Sequence, residues 1–190
     1  MPVINDAQKA SILPEMRVLE IGCGLNRRVL GSTTLDINSG LGVDIAHDLN
    51  QCPYPFETSY FDVVLAEHVL EHLDNVIPVY EEIHRIFKPG GMFYVEVPHF
   101  SSSNFFTDPT HRHPYSSRSF DYFVEGAVLA KFGYSNIRFI RRSVRLSSGE
   151  RSRFMKLMGK LINAHLEAYE KRFAFIFPRE NLNFSLEVVK

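Results

Sequence analysis

Two groups of residues in this 190-residue chain have the types and spacing to do chemistry. The first is Glu20-Ile21-Gly22-Cys23-Gly24, an acid at the end of an apolar run followed at once by a glycine turn, with further acids at Asp36 and Asp48. Glycine tolerates positive φ and has no Cβ, so a ligand can lie close to such a backbone. The second group is rich in histidine: His99, then Asp108-Pro109-Thr110-His111-Arg112-His113. A histidine near neutral pKa can take a proton from a hydroxyl, Asp108 is an acid that can orient it, and Arg112 is a cation for an anionic group. A third string, His68-Val69-Leu70-Glu71-His72, has the spacing of an inverted zinc-protease motif.

The elements that must position these groups follow from pattern. Val18–Ile21, Thr33–Asp36, Gly42–Ile45, Phe61–Ala66, Gly91–Val97, Ile137–Leu146 and Asn183–Val189 read as seven strands. Phe61–Ala66 is nearly all apolar, as a strand covered on both faces should be. Val76, Val79, Tyr80, Ile83 and Phe87 fall on one helix face, with Asp74 or Asn75 to cap it and Lys88-Pro89-Gly90-Gly91 to end it. Asp6–Leu13 is a further short helix closed by Pro14, and Ser119–Phe132 a helix ending at Gly133. Strand, helix, strand in sequence predicts right-handed crossovers and a parallel sheet, whose ligands bind at the carboxyl ends of the strands. Residues 99–118 read as a long active-site loop. Residues 147–180 read as a helical insertion between the last two strands, with Arg153–Arg172 as its helix and Phe154, Leu157, Met158, Leu161, Ile162, Leu166 and Tyr169 as its stripe.

A glycine turn after strand one suits a dinucleotide or S-adenosylmethionine. The dinucleotide fingerprint needs a third glycine, where Arg27 stands, and an acid about 20 residues on. Asp36 comes only 14 residues after Gly22, which leaves little room for a helix that would hold a pyrophosphate. Five strings then occur in order: VLEIGCG at 18–24, LDIN at 35–38, HDLNQCPYPFETSYFDVV at 47–64, AEHVLEHL at 66–73 and EEIHRIFKPGGMFYVEVP at 81–98. In these the chain resembles the class I S-adenosylmethionine-dependent methyltransferases of the small-molecule-type branch.

That resemblance implies an α/β, Rossmann-like, seven-stranded, mostly parallel sheet with helices on both faces, its last strand antiparallel. It implies S-adenosylmethionine as cofactor, with Glu20 attracting the ammonium, Gly22, Cys23 and Gly24 lying against the ligand, and Asp36 with Ile37 at the ribose. It places Asp48 and Leu49 at the adenine, and Glu67 and His68 beside the methionine moiety. The sequence departs from the family at Asn26, where a further glycine is common, and in its clipped first helix. By the same resemblance the loop from His99 to His113 shapes the acceptor site, with His111, His99, His113 and Asp108 as candidate catalytic residues. Because the sulfonium already activates the methyl group, alignment of donor and acceptor is the main requirement.

No metal is expected. HVLEHL follows a central strand and matches the methyltransferase string, so a zinc-dependent hydrolase using HxxEH is the distant alternative; His111 and His113 with Asp108 are the other set with ligand chemistry. A non-catalytic cofactor-binding or interaction module is the nearer alternative. The acceptor is expected to be a small molecule, a glycan or a lipid-linked molecule, methylated at oxygen or nitrogen.

The net charge of −1 points to neither nucleic acid nor membrane, but eight Arg or Lys residues and the single acid Glu150 lie between Arg138 and Lys160. This basic segment 138–160 offers an anionic or membrane-surface contact. Few aromatics alternate with the arginines, so nucleic acid is not expected. Cys23 and Cys52 have no CxxC partner and read as reduced thiols of a cytoplasmic protein. The N-terminus lacks an apolar signal core, and the whole chain, 1–190, reads as one domain.

Overall fold

The computed structural model describes residues 4, 8, 10–24, 27–147 and 153–190, without the side chains of Leu41, Arg153 and Phe154. The expectations for Asn26, Glu150, Arg151, Phe154 and part of the Asp6–Leu13 helix therefore lie outside the described residues.

Seven strands form one sheet in the order β3-β2-β1-β4-β5-β7-β6. They are β1 Val18–Ile21, β2 Thr33–Asp36, β3 Ile45–Ala46, β4 Phe61–Glu67, β5 Phe87–Pro98, β6 Arg138–Ser147 and β7 Asn181–Val189. The first five are parallel. β7 runs antiparallel between β5 and β6, as the resemblance implied. It brings Asn181 opposite Pro98, at the carboxyl end of β5.

The central strands are apolar because both of their faces are covered. Along β4, Val64 and Ala66 enter a large cluster with Leu19, Ile21 and Ile83. Val63 and Leu65 enter a smaller one with Val18, Val29 and Tyr94. The helix α1, Val76–Ile86, supplies Val79, Tyr80, Ile83 and Ile86 to the large cluster, each worth roughly 1.5–3 kcal/mol when fully buried. Asn75 caps it by accepting the Ile77 N–H at 3.2 Å. The helix passes straight into β5 at Phe87, which pairs with Phe61. Gly91 permits this turn, because a Cβ there would stand 2.6 Å from the Phe87 ring.

Three local expectations are corrected. The third strand is Ile45–Ala46, not Gly42–Ile45, because Gly42 (φ 70°) closes a short 3-10 turn at Ser39–Leu41. Ser119–Phe132 is not a helix. Phe120, Phe123 and Val124 have helical spacing and are buried, but Glu125 N–H bonds Phe139 C=O and Phe139 N–H bonds Phe123 C=O, each at 2.9 Å. That pairing with β6, with Gly126 at φ 74°, limits helical structure there to the 3-10 turn Val128–Phe132. The insertion carries two helices, α3 Arg153–Ala164 and α4 Leu166–Arg172, broken at His165. Asn163 pins the first of them by bonding the N–H and C=O of Leu146 at 2.8 and 2.9 Å. Among the described residues no helix is long and apolar enough to cross a membrane.

Within the segment 99–118 lies one short helix, α2 Ser103–Thr107. The rest is anchored by backbone: Arg112 and His113 N–H both bond Glu71 C=O, at 2.8 and 3.2 Å.

Candidate active site

The carboxyl ends of β1 and β4 frame an open cleft lined by Glu20, Ile21, Gly22, Cys23, Arg28, Leu65, Glu67 and His68. Gly22 sits at φ 61° and donates its N–H to Leu35 C=O at 2.8 Å. A Cβ there would lie 2.4 Å from Val69 Cγ2, so the turn must be glycine where the chain leaving β4 crosses it. Gly24, at φ 53°, has nothing among the described residues within 4 Å of its Cβ position.

Glu20 is buried, and its carboxylate accepts the N–H groups of Arg28 and Val29 at 2.8 and 2.9 Å and the Ser32 hydroxyl at 2.5 Å. It thereby shapes the chain after the glycine turn. Arg28 then reaches Glu67 with two hydrogen bonds, 2.7 and 2.6 Å, on the wall of the cleft. Arg28 is a cleft residue that the sequence reading missed; the Arg27-Arg28 pair beyond the turn was its one visible trace. Burial, with Asp36 and Glu20 adding negative charge, pushes the Cys23 thiol up.

Asp36 ends β2 and accepts the Gly24 N–H at 3.0 Å on one oxygen and the Asn38 N–H at 3.0 Å on the other. Its carbonyl takes His47 N–H at 2.9 Å, so the turn, the β2 end and the segment carrying Asp48 are tied in one row. Ile37 is 65% exposed beside Asp36, which suits a side chain that covers a ligand. Asp48 accepts the Asn50 N–H at 2.9 Å. Leu49 is buried, and its carbonyl takes the Tyr54 hydroxyl at 3.0 Å. Glu20, Gly22, Cys23, Glu67 and His68 thus line the cleft itself, whereas Gly24, Asp36, Ile37, Asp48 and Leu49 do not.

At the β4 end His68 adopts φ 52°, the left-handed region that non-glycine residues rarely occupy. Its Nδ1 lies 3.3 Å from Glu71 Oε1 and its Nε2 3.6 Å from Glu96 Oε1. Hydrogen bonding to Glu71 first, and to Glu96 next, raises its pKa to about 9. Asn181, from β7, bonds Glu96 at 2.6 Å. The two glutamates are almost fully buried, and among the described residues Glu71 Oε2 and Glu96 Oε2 have no hydrogen-bond partner. From sequence Glu71 entered only as the glutamate of the HxxEH string, and Glu96 was not singled out, because it sits inside an apolar string where an acid reads as a solvated break.

The loop histidines are placed differently from expectation. His99 is fully buried, with Nδ1 2.7 Å from the Ser101 hydroxyl and Nε2 3.3 Å from Glu170. His113 Nε2 bonds Leu73 C=O at 2.8 Å. Asp108 orients His72 and not His111: Thr110 donates to Asp108 at 2.6 Å and stands 2.8 Å from His72 Nδ1. His111 Nδ1 bonds Phe105 C=O at 2.9 Å, and its Nε2 faces Glu71 Oε1 at 3.9 Å. Arg112 pairs with Asp74. The structure therefore gathers His68, Glu71, His72 and His111, and leaves His99 held by Ser101 and Glu170 and His113 held by the Leu73 carbonyl. The HxxEH string forms a left-handed residue and the 3-10 turn Leu70–His72, not the α-helix that a zinc hydrolase would need.

In the basic segment, Arg141 pairs with Asp121, Arg142 with Glu187, and Arg138 with the carbonyls of Ser135 and Ile137. Beyond the β5 end, Phe175 packs edge-on against Phe100 at 5.6 Å between ring centroids. Around it Phe173, Ile176 and Phe177 are also exposed.

Residues 19–95 match a family model described as a methyltransferase domain. Sterol 24-C-methyltransferase of Yarrowia lipolytica is 29% identical over 134 residues, which cover 56% of this chain and 34% of that protein. Sterol 4-C-methyltransferase of Caenorhabditis elegans is 29% identical over 112 residues, covering 47% of this chain and 33% of that protein. The chain thus spans about a third of the length of these curated relatives. A solved S-adenosylmethionine-dependent methyltransferase from Archaeoglobus fulgidus shares the fold, with TM-score 0.58 at 20% identity over 90% of this chain and 86% of that one.

Proposed function

We propose that the chain carries a class I S-adenosylmethionine-dependent methyltransferase domain and methylates an oxygen or nitrogen of an acceptor with an apolar body. The observation that carries the reading is the cleft between the β1 turn and Glu67-His68, tied by Gly24 to Asp36. A glycine turn with nothing among the described residues near the Gly24 Cβ position, and acids at successive strand ends, fits a ligand with an ammonium and vicinal hydroxyls. S-adenosylmethionine would supply a sulfonium methyl to an acceptor lone pair, the electron pair of the S–CH3 bond going to sulfur and the acceptor's proton to water.

The chain's own residues hold and orient. Glu67 with Arg28 presents one negative and one positive group to the methionine end, and Asp36, outside the cleft lining but tied to Gly24, is the acid assigned to the hydroxyls. His68, protonated at neutral pH, is held between two buried glutamates and serves as a fixed wall. His99 and His113 are engaged within the protein, so the reading assigns the transfer to alignment and not to a loop base.

The exposed run Phe173, Phe175, Ile176 and Phe177, packed on Phe100 just past β5, supports an apolar acceptor body. The sterol relatives agree with a lipid-like acceptor. The internal partners of Arg138, Arg141 and Arg142 lessen the support for an anionic surface along the basic segment. Transfer of a radiolabelled methyl group tests this reading, with amphiphilic alcohols and amines set against the same head groups lacking an alkyl body. Preferential labelling of the amphiphiles is expected. Cofactor binding with no labelled product would instead make the protein a binding module.

A further inference from the structure

We propose that Glu71, His72 and His111 form a site for a divalent transition-metal ion of the zinc or cobalt class. One ligand atom from each of the three lies within 4.8 Å of the others. Ligands bound about 2.0–2.2 Å from one ion stand about 3–4 Å apart, so side-chain shifts of under ~1 Å close the set. Two histidines and one carboxylate is a donor set suited to such an ion. Both metal sets that the sequence offered are different: HxxEH would have used His68 with His72, and the loop set His111 with His113 and Asp108.

Three further observations point the same way. Glu71 is fully buried; its Oε1 is the oxygen that faces His111 Nε2, and its Oε2 has no hydrogen-bond partner among the described residues. A carboxylate oxygen desolvated without a partner is costly, and a cation is the partner that repays it. His111 Nδ1 lies 2.9 Å from Phe105 C=O, which can only accept. The neutral ring therefore carries its proton on Nδ1 and keeps a lone pair on Nε2, the atom that faces Glu71 at 3.9 Å. Thr110 commits its hydroxyl proton to Asp108, so it accepts from His72 Nδ1–H and leaves the His72 lone pair on Nε2. Metal-ligating histidines are held in this way, with the second ring nitrogen donating to a carbonyl or to a group backed by a carboxylate.

An ion there joins the turn at 70–72 to the segment 105–111. It lies one side chain, His68, from the cleft, since His68 Nδ1 is 3.3 Å from Glu71. The site is independent of whether the cleft transfers methyl groups, and its test needs no methyl donor.

The full chain is stripped with chelator and titrated with cobalt(II), following ligand-field absorption in the visible, and the cobalt is then displaced with zinc. One equivalent of cobalt with a nitrogen–oxygen ligand-field spectrum is expected. His72→Gln and His111→Gln should each abolish that stoichiometric spectrum, whereas His113→Gln should keep it. Thr110→Val, at an exposed position that tolerates the change, should weaken cobalt affinity by about 10–100-fold. That variant keeps the test decisive if a histidine variant fails to fold. No stoichiometric cobalt or zinc binding by the wild-type chain overturns the proposal. So does binding that His111→Gln and Thr110→Val leave unchanged.

Discussion

Arg28 closes two hydrogen bonds on Glu67, at 2.7 and 2.6 Å, and so ties the segment after the β1 turn to the end of β4 on the wall of the cleft. Both side chains stay partly solvated, which limits what the pair adds to folding, to about 0–1 kcal/mol. Their worth is expected at the ligand. Arg28→Met should weaken S-adenosylmethionine binding about tenfold, equivalent to ~1.4 kcal/mol, and leave the midpoint of thermal unfolding nearly unchanged. Calorimetric titration beside a melting curve reads both; unchanged affinity would remove Arg28 from the site.

Gly22 and Val69 meet where the chain leaving β4 crosses the turn after β1. Gly22→Ala places a Cβ 2.4 Å from Val69 Cγ2 at a positive φ, which combines overlap with backbone strain. A loss of about 2–4 kcal/mol in urea unfolding is expected, from overpacking and strain together. Val69→Ala in the same chain should recover part of it, because the overlap is removed and the φ strain is not. Additive losses would mean that the two residues do not press on each other.

Glu170 predicts a dependence on pH. Burial by itself would raise its carboxyl, but hydrogen bonds from His99 and from the Ser117 N–H and hydroxyl outweigh this and hold it below its ordinary value. A group depressed in the folded state adds stability above its unfolded pKa, about 4.3, and that contribution is lost as pH falls through the lower folded value. Wild type should therefore lose more unfolding free energy than Glu170→Gln between about pH 5 and pH 3. Parallel curves for the two proteins would contradict the assignment.

The aromatic run past β5 is expected to serve an acceptor and not the core. Phe175 and Ile176 are 77% and 64% exposed. Phe175→Ser with Ile176→Ser should change stability by roughly 0.5 kcal/mol or less, as exposed positions do. The same pair should raise KM for an acceptor with an alkyl body and leave KM for the methyl donor unchanged. An equal rise in both constants would point to a general distortion.

The parallel half of the fold was legible because each signal there is local. Val18–Ile21 and Phe61–Glu67 are mostly apolar runs, interrupted at Glu20 and at Asp62, and Asn75 with the spacing from Val76 to Ile83 marks α1. The glycine turn and the acid at Asp36 were likewise visible along the chain, whereas the hydrogen bond that joins Gly24 to Asp36 was not. Ser119–Phe132 misled because Phe120, Phe123 and Val124 keep helical spacing while their backbone pairs with β6, a partner distant in sequence. The histidine cluster was illegible for the same reason. Which nitrogen of His111 or His72 is engaged depends on Phe105, Thr110 and Asp108, and the meeting of residues 68–72 with 108–113 depends on two backbone bonds to Glu71 C=O. Arg28 was hidden because its role needs Glu20 to bend the chain after the turn.

The central claim is that the row Gly22, Gly24 and Asp36 holds S-adenosylmethionine, and calorimetric titration of the wild-type chain and of Asp36→Ala tests it most directly. Wild type should bind one equivalent, and Asp36→Ala should bind at least about 10-fold more weakly, as expected for loss of hydrogen bonds to a charged group. No binding by the wild-type chain, or equal affinity in the variant, would contradict it.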